Sequence, residues 1–270
     1  AALTEVGAAI PADWRRGHVD RGDLPRFLFA PEDIVVAVGQ DGLVANVAKY
    51  LDGQPVIGVN PEPARYPGVL VRHAAGAVGA LLRGSRPVVA RTMVAARLDD
   101  GQQLVGLNEV YIGHPSHQSS RYSLSTVDGR RERHSSSGVV VGTGTGATGW
   151  LASLAHDRAA CPPLPGPDEA ALAWFVREAW PSRATGVTLT AGLLGPAEPL
   201  TLTCESERLV VFADGLEPDR LEVGWGQQLT VAVATRRLHL VADPGPAAPA
   251  GTRGRRRRRG HKAAGAAPAS

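Results

Sequence analysis

A carboxylate flanked by glycines, Gly39-Gln40-Asp41-Gly42, follows the apolar run Ile34 to Val38 and precedes Leu43, Val44, Val47, Ala48 and Leu51 at helical spacing. Glycines let backbone N–H groups approach a phosphate, and the following helix offers its positive end. An aspartate placed there can take a proton from a hydroxyl nucleophile or hold a magnesium ion. Taken alone, such an aspartate more often caps a helix or closes a turn. Asn108-Glu109 is the second candidate, since a carboxylate accepts from the two hydroxyls of a ribose while an amide donates and accepts. On an exposed strand edge the same pair would be merely polar. The third is Ser137 to Trp150, whose Gly144-x-Gly146-x-x-Gly149 spacing invites a dinucleotide fingerprint. Its surroundings are strand-rich, and Cys161 to Pro167 is a proline loop, not a crossover to a parallel strand. A Gly/Thr loop able to hold a nucleotide remains.

The other polar candidates point less clearly. His114 and His117 have metal-like spacing without an evident third ligand. His134 is a candidate to face the same cleft as the Gly/Thr loop. Ser135 to Ser137 lack a nucleophile-elbow pattern. Cys161 and Cys204 are too far apart for a paired-thiol motif, and a reducing, cytoplasmic setting is the default.

These residues need elements to hold them. Ile34 to Val38 reads as a strand buried on both faces, with Val56 to Val59 as its parallel partner, so Asp41 falls at the carboxyl end of a parallel strand. Leu3 to Ile10 and Ala74 to Leu82 are expected helices. From Arg86 the pattern changes: strands are expected at Val88–Arg97, Leu104–Ile112, Tyr122–Val127, Val187–Thr190, Leu200–Cys204, Leu209–Ala213, Leu229–Ala234 and Leu238–Val241, with a turn at Asp99-Asp100-Gly101. Glu169 to Trp180 and Trp150 to Ala155 are expected helices. The expected architecture is a truncated doubly wound α/β domain (1–85) followed by a β-sandwich domain (86–243) and a disordered basic tail (244–270).

Composition supports a folded core. Of 270 residues, 43% are hydrophobic and 20% charged, a globular balance, and no apolar run approaches membrane-spanning length. The formal charge of +3 owes much to Arg253 and Arg255 to Arg259. That run lies among Gly, Ala and Pro, a composition that buries too little apolar surface to fold. Without it the chain is close to neutral, against a dedicated nucleic-acid binder. The first unit opens part-way through a strand–helix alternation, so the N-terminus is expected to be incomplete.

In this order the three motifs resemble the NAD kinase family, which shares a superfamily with diacylglycerol-type lipid kinases and phosphofructokinases. The family's Gly-Gly-Asp-Gly turn matches Gly39 to Gly42, its Asn-Glu/Asp motif Asn108-Glu109, and its Thr-Pro-Thr-Gly-Ser-Thr-Ala-Tyr loop Thr143 to Trp150. Phe212-Ala213-Asp214-Gly215 with Gly224 is similar to its C-terminal pattern. The resemblance implies a phosphotransferase moving the γ-phosphate of ATP, or polyphosphate, with magnesium, to the 2′-hydroxyl of the adenosine ribose of NAD. It implies Asp41 as the base, Gly39 and Gly42 as the phosphate cradle, and Asn108, Glu109, Thr148, Gly149 and Trp150 around NAD, in a homo-oligomer. Gln40, Leu43, Ser137, Trp150 and Leu216 depart from the family pattern and mark a divergent branch, of the kind sometimes called a sugar kinase. The alternatives are a kinase of the same superfamily acting on a sugar or lipid, and a nucleotide-binding protein that has lost catalysis.

Overall fold

The computed structural model of the chain describes residues 1–84 and 86–242; the tail expected at 244–270 lies outside the described residues. In chain order the elements are α1 (Ala2–Ala9), β1 (Val35–Val38), α2 (Asp41–Ala48), β2 (Pro55–Val59), α3 (Val78–Arg83), β3 (Val88–Arg91), β4 (Val94–Leu98), β5 (Gln103–Gly106), β6 (Glu109–Gly113), β7 (Ser120–Ser125), β8 (Arg131–Ser136), β9 (Val139–Gly142), α4 (Trp150–His156), β10 (Leu172–Val176), β11 (Ala191–Leu194), β12 (Leu200–Cys204), β13 (Arg208–Ala213), β14 (Arg220–Gly224), β15 (Gln228–Val233) and β16 (Leu238–Val241). Strands dominate, and the helices are short.

A four-stranded sheet in the order β1-β2-β16-β3 carries the first motif. β1, β2 and β16 run parallel, and β3 returns antiparallel. This sheet draws on chain from both sides of residue 85. Helix α2 covers one face through Val44, Val47 and Ala48 with Val56 and Leu240, while Val6, Val78, Leu81 and Leu82 of α1 and α3 cover the other around Ile57 and Val59. β1 is an edge strand with only Ala37 fully buried, so the both-face burial expected of Ile34 to Val38 belongs instead to β2. An apolar run marks a strand but not its rank in a sheet.

Two six-stranded antiparallel sheets follow, β11-β10-β9-β6-β13-β14 and β5-β4-β15-β12-β7-β8. They share one core, in which Val110, Ile112, Val141 and Trp174 of the first meet Ala96, Tyr122, Leu124 and Leu202 of the second. Two long expected strands are each broken. Val88–Arg97 becomes β3 and β4 in different sheets, and Leu104–Ile112 becomes β5 and β6 in different sheets, with Leu107-Asn108 at the corner. Apolar residues flank both breaks closely, Ala90 and Met93 at the first and Leu107 and Val110 at the second, so neither break reads as a loop.

The helix expected over Glu169 to Trp180 is strand β10, all five of its residues buried. A strand covered on both faces has no polar alternation, and its apolar run mimics a helical stripe. Val187–Thr190 is loop, with the strand displaced to β11. β8 and β14 form from Arg- and Glu-containing segments that lack a strand signature. The dinucleotide fingerprint fails as expected, since β10 returns antiparallel to β9.

Residues 69–73 lie against β2, where His73 N–H donates to the Gly58 carbonyl at 3.1 Å and Asn60 N–H to the His73 carbonyl at 2.9 Å. A Cβ at Gly58 would run into the Leu70 carbonyl and the Val71 Cα. Gly58→Ala is therefore expected to lower stability by roughly 2 kcal/mol in urea denaturation, by pushing this segment off the sheet; an unchanged midpoint would contradict that packing.

Candidate functional site

Asp41 occupies the first turn of α2, where a negative charge is favoured. Its side chain serves a different stretch of backbone. Oδ1 accepts the N–H groups of Val69 at 3.1 Å, Leu70 at 2.7 Å and Val71 at 3.0 Å, and Oδ2 accepts that of Val69 at 2.8 Å. One carboxylate thereby fixes three consecutive amides of the segment that lies on β2. Of its four acceptor positions, the second on Oδ2 is the one these bonds leave over.

The opposite wall is the corner between β5 and β6. Here a second carboxylate does the same for another amide run: Asp214 accepts the N–H groups of Leu107 at 2.9 Å, Asn108 at 2.7 Å and Glu109 at 3.4 Å. Asp214 and Gly215 both take positive φ, 53° and 70°, forming the tight turn after β13 that aims the carboxylate inward. Thr143 ties the Gly/Thr loop to the same corner. Its N–H donates to the Asn108 carbonyl at 2.9 Å and its hydroxyl to the Leu107 carbonyl at 2.6 Å, while that hydroxyl accepts the Thr145 N–H at 3.1 Å. A Cβ at Gly146 would collide with the Asn108 carbonyl. This glycine is needed for close packing of loop on corner.

Between the walls lies a cleft of about 200 Å³ lined by Asp41, Val69, Leu70, Asn108, Glu109, Thr145, Gly146, Thr148, Gly149 and Trp150. Residues of all three sequence motifs thus meet at one place. Gly39 and Gly42 are not in the lining, and a Cβ at Gly42 would meet nothing within 4 Å. The buried Thr145 hydroxyl has no hydrogen-bond partner among the described residues. Trp150 stacks at 5.9 Å on Tyr111, which packs at 5.0 Å on Phe212, and the Arg177 guanidinium lies 5.3 Å from the Trp150 ring. The cleft thus presents a preorganised aromatic edge.

The histidines lie elsewhere. His134 is buried in β8, stacked on Tyr122 and 3.3 Å from Glu132, so it does not face the cleft. His114 lines a separate hollow of about 570 Å³ with Gln118, Arg208 and Glu222, and no group of three metal-ligating side chains occurs among the described residues.

Burial, reinforced by the nearby Asp214 carboxylate, pushes the Glu109 carboxyl up to about 7. Burial likewise raises Asp214 to about 6, opposed by the amides of Leu107, Asn108 and Glu109 and by the Lys49 charge. Lys49, just past α2, has a side chain only 3% exposed and donates to Asp219 at 2.6 Å. Arg236 donates to the Lys49 carbonyl at 3.0 Å, satisfying the carboxyl end of the same helix.

Over 167 residues the chain is 33% identical to NAD kinase 2, mitochondrial, of Rattus norvegicus, a match covering 44% of this chain and 39% of that protein. The chain thus spans well under half the length of this curated relative. No family model matches the chain. No helix among the described residues is long and apolar enough to cross a membrane.

Sequence reasoning left Val69 and Leu70 out of the site, Thr145 and Gly146 entered only as members of the Gly/Thr loop, and Asp214 only as part of a C-terminal pattern. Val69 and Leu70 carry no chemical signal, because they act through backbone. Asp214-Gly215 does carry one, the pair favoured where two left-handed residues make a turn.

Two outcomes follow from this geometry. Asp41→Ala should speed hydrogen exchange of the Leu70 and Val71 amides by roughly 10- to 100-fold, as buried donors lose their acceptor; unchanged protection would contradict the anchoring. Glu109 is raised from 4.5 to about 7, so the unfolded chain releases its proton first and stability falls as pH rises from about 4.5 to 7. Glu109→Gln should therefore raise the unfolding free energy at pH 8 by about 2–3 kcal/mol but leave it unchanged at pH 4.5, as read by urea denaturation. An equal change at both values would contradict the assignment.

Proposed function

We propose that this chain is an NAD kinase-like phosphotransferase, moving the γ-phosphate of ATP, or a phosphate of polyphosphate, to the 2′-hydroxyl of the adenosine ribose of NAD. The observation that carries this reading is the meeting of Asp41, Asn108, Glu109, Thr148, Gly149 and Trp150 in one cleft from positions far apart in sequence. The partial likeness to an NAD kinase supports it. At about 200 Å³ the cleft is smaller than the roughly 300–1,000 Å³ usual for ligand pockets, so it takes one nucleoside end of a dinucleotide.

In this reading the ribose lies between Asp41 and the Asn108-Glu109 pair. The 2′-oxygen bonds to the γ-phosphorus, the bond from that phosphorus to the bridging oxygen of ADP breaks, and the hydroxyl proton passes to the remaining acceptor position on Asp41 Oδ2. Glu109 and Asn108 hold the ribose hydroxyls, Thr145 offers its unpartnered hydroxyl, and Trp150 gives a stacking surface. The donor set does not fit a magnesium ion held by protein alone, since three amides already claim Asp41 and the described residues offer no group of three metal-ligating side chains. Magnesium enters this reading as the partner of the donor's phosphates, whose charge it offsets.

One observation favours a second reading, a nucleotide-binding protein without turnover: the amides that anchor Asp41 occupy all but one of its acceptor positions, giving it a structural task of its own. An assay with NAD, ATP and magnesium separates the two. The kinase reading expects NADP, and a loss of at least 100-fold with Asp41→Asn. NAD binding with no NADP from ATP or polyphosphate supports the second reading. Phosphorylation of a sugar or lipid instead of NAD would overturn both.

A further inference from the structure

The corner between β5 and β6 poses a problem that the fold must solve. At Leu107 the chain leaves one six-stranded sheet and at Glu109 it enters the other, so the three amides in between are turned away from regular strand partners. Buried N–H groups must be paired. Asp214 pairs all three, at 2.7 to 3.4 Å, and the corner is locked again from the other side by the Thr143 bonds to the Leu107 and Asn108 carbonyls. A Cβ at Gly106 would come within 3.2 Å of Asp214 Oδ1, so the carboxylate is packed against the end of β5.

We propose that Asp214 is a positioning residue for the cleft, fixing the Leu107–Glu109 corner and so deciding where the Asn108 and Glu109 side chains stand, with Lys49 as its charge complement. The assignment goes one step beyond the reading of the cleft as an NAD site and rests on it for the ligand alone. The link reaches across the cleft. Lys49 follows the helix that begins with Asp41, its ammonium pairs with Asp219 at 2.6 Å, and its charge acts on Asp214. The helix bearing one wall's carboxylate is thus tied to the turn bearing the other's.

The charged groups facing Glu109 are Asp214 from the turn after β13 and Asp41 across the cleft, while Lys49, paired with Asp219, faces Asp214 from the end of α2. Because the Asp214 charge acts on the Glu109 carboxyl, the two are expected to titrate as a pair. A residue that merely stabilised the fold would lower melting temperature without touching this titration.

The test follows the Glu109 carboxyl by ¹³C NMR in the full chain without ligand, alongside NAD affinity. Asp214→Asn places an amide NH₂ against one of the three N–H groups and removes the negative charge. It is expected to move the Glu109 midpoint down by about one pH unit, a tenfold change in proton affinity. It should also weaken NAD binding at least tenfold, and at least threefold less in a Glu109→Gln background, the coupling expected of residues acting as a unit. An unmoved midpoint in a folded variant, or an equal affinity loss in both backgrounds, would overturn the assignment. Should Asp214→Asn not fold, the unsubstituted chain decides: coupled two-step titration of Glu109 and Asp214 supports it, and independent single steps overturn it. If NAD does not bind the unsubstituted chain, the cleft reading fails, while the ligand-free titration still judges Asp214.

Discussion

Two carboxylates, each accepting a run of consecutive backbone amides, hold up the two walls of the cleft. Asp41 gathers Val69 to Val71 on the side of the four-stranded sheet, and Asp214 gathers Leu107 to Glu109 at the corner of the stacked sheets. Neither amide run has a regular strand ladder to satisfy it, and unpaired buried amides cost about 1–3 kcal/mol each. Placing functional loops where the sheets end therefore obliges the chain to supply these acceptors. Each acceptor in turn fixes what stands beside it.

The electrostatic consequences are opposite on the two walls. Asp41 is partly exposed and keeps one acceptor position toward the cleft, whereas Glu109, above Asp214, is pushed toward its protonated form near neutral pH. A cleft with one carboxylate engaged by amides and another raised by burial to about 7 has a different character on each of its two sides. The buried Lys49 offsets part of the negative charge, since it pairs with Asp219 at the end of α2 and its charge acts on Asp214.

Much of this was readable from the chain, and the unreadable parts share a cause. The parallel pair β1 and β2, helix α2 and the hairpin turn at Asp99 to Gly101 carry local signals of apolar run, helical spacing and turn residues. The three motifs pointed to one cleft through the family resemblance that their order carries. What stayed hidden depends on long-range packing. The Leu107-Asn108 corner has apolar strand residues on both sides, β10 is apolar because both its faces are covered, and β8 forms from Arg131 to Ser136 only because β7 pairs with it. Gly39 and Gly42 looked like a phosphate cradle from spacing, yet they stand outside the cleft lining. Gly58 and Gly146, which are sterically required, had no motif to announce them.

The central claim is that a dinucleotide binds between these two amide-bearing walls. Amide chemical-shift changes on adding NAD test it most directly. The account predicts that Val69 to Val71, Leu107 to Glu109 and Thr145 to Trp150 respond together at one saturation. Changes confined to the hollow around His114 and Arg208, or none in the first two runs, would contradict it.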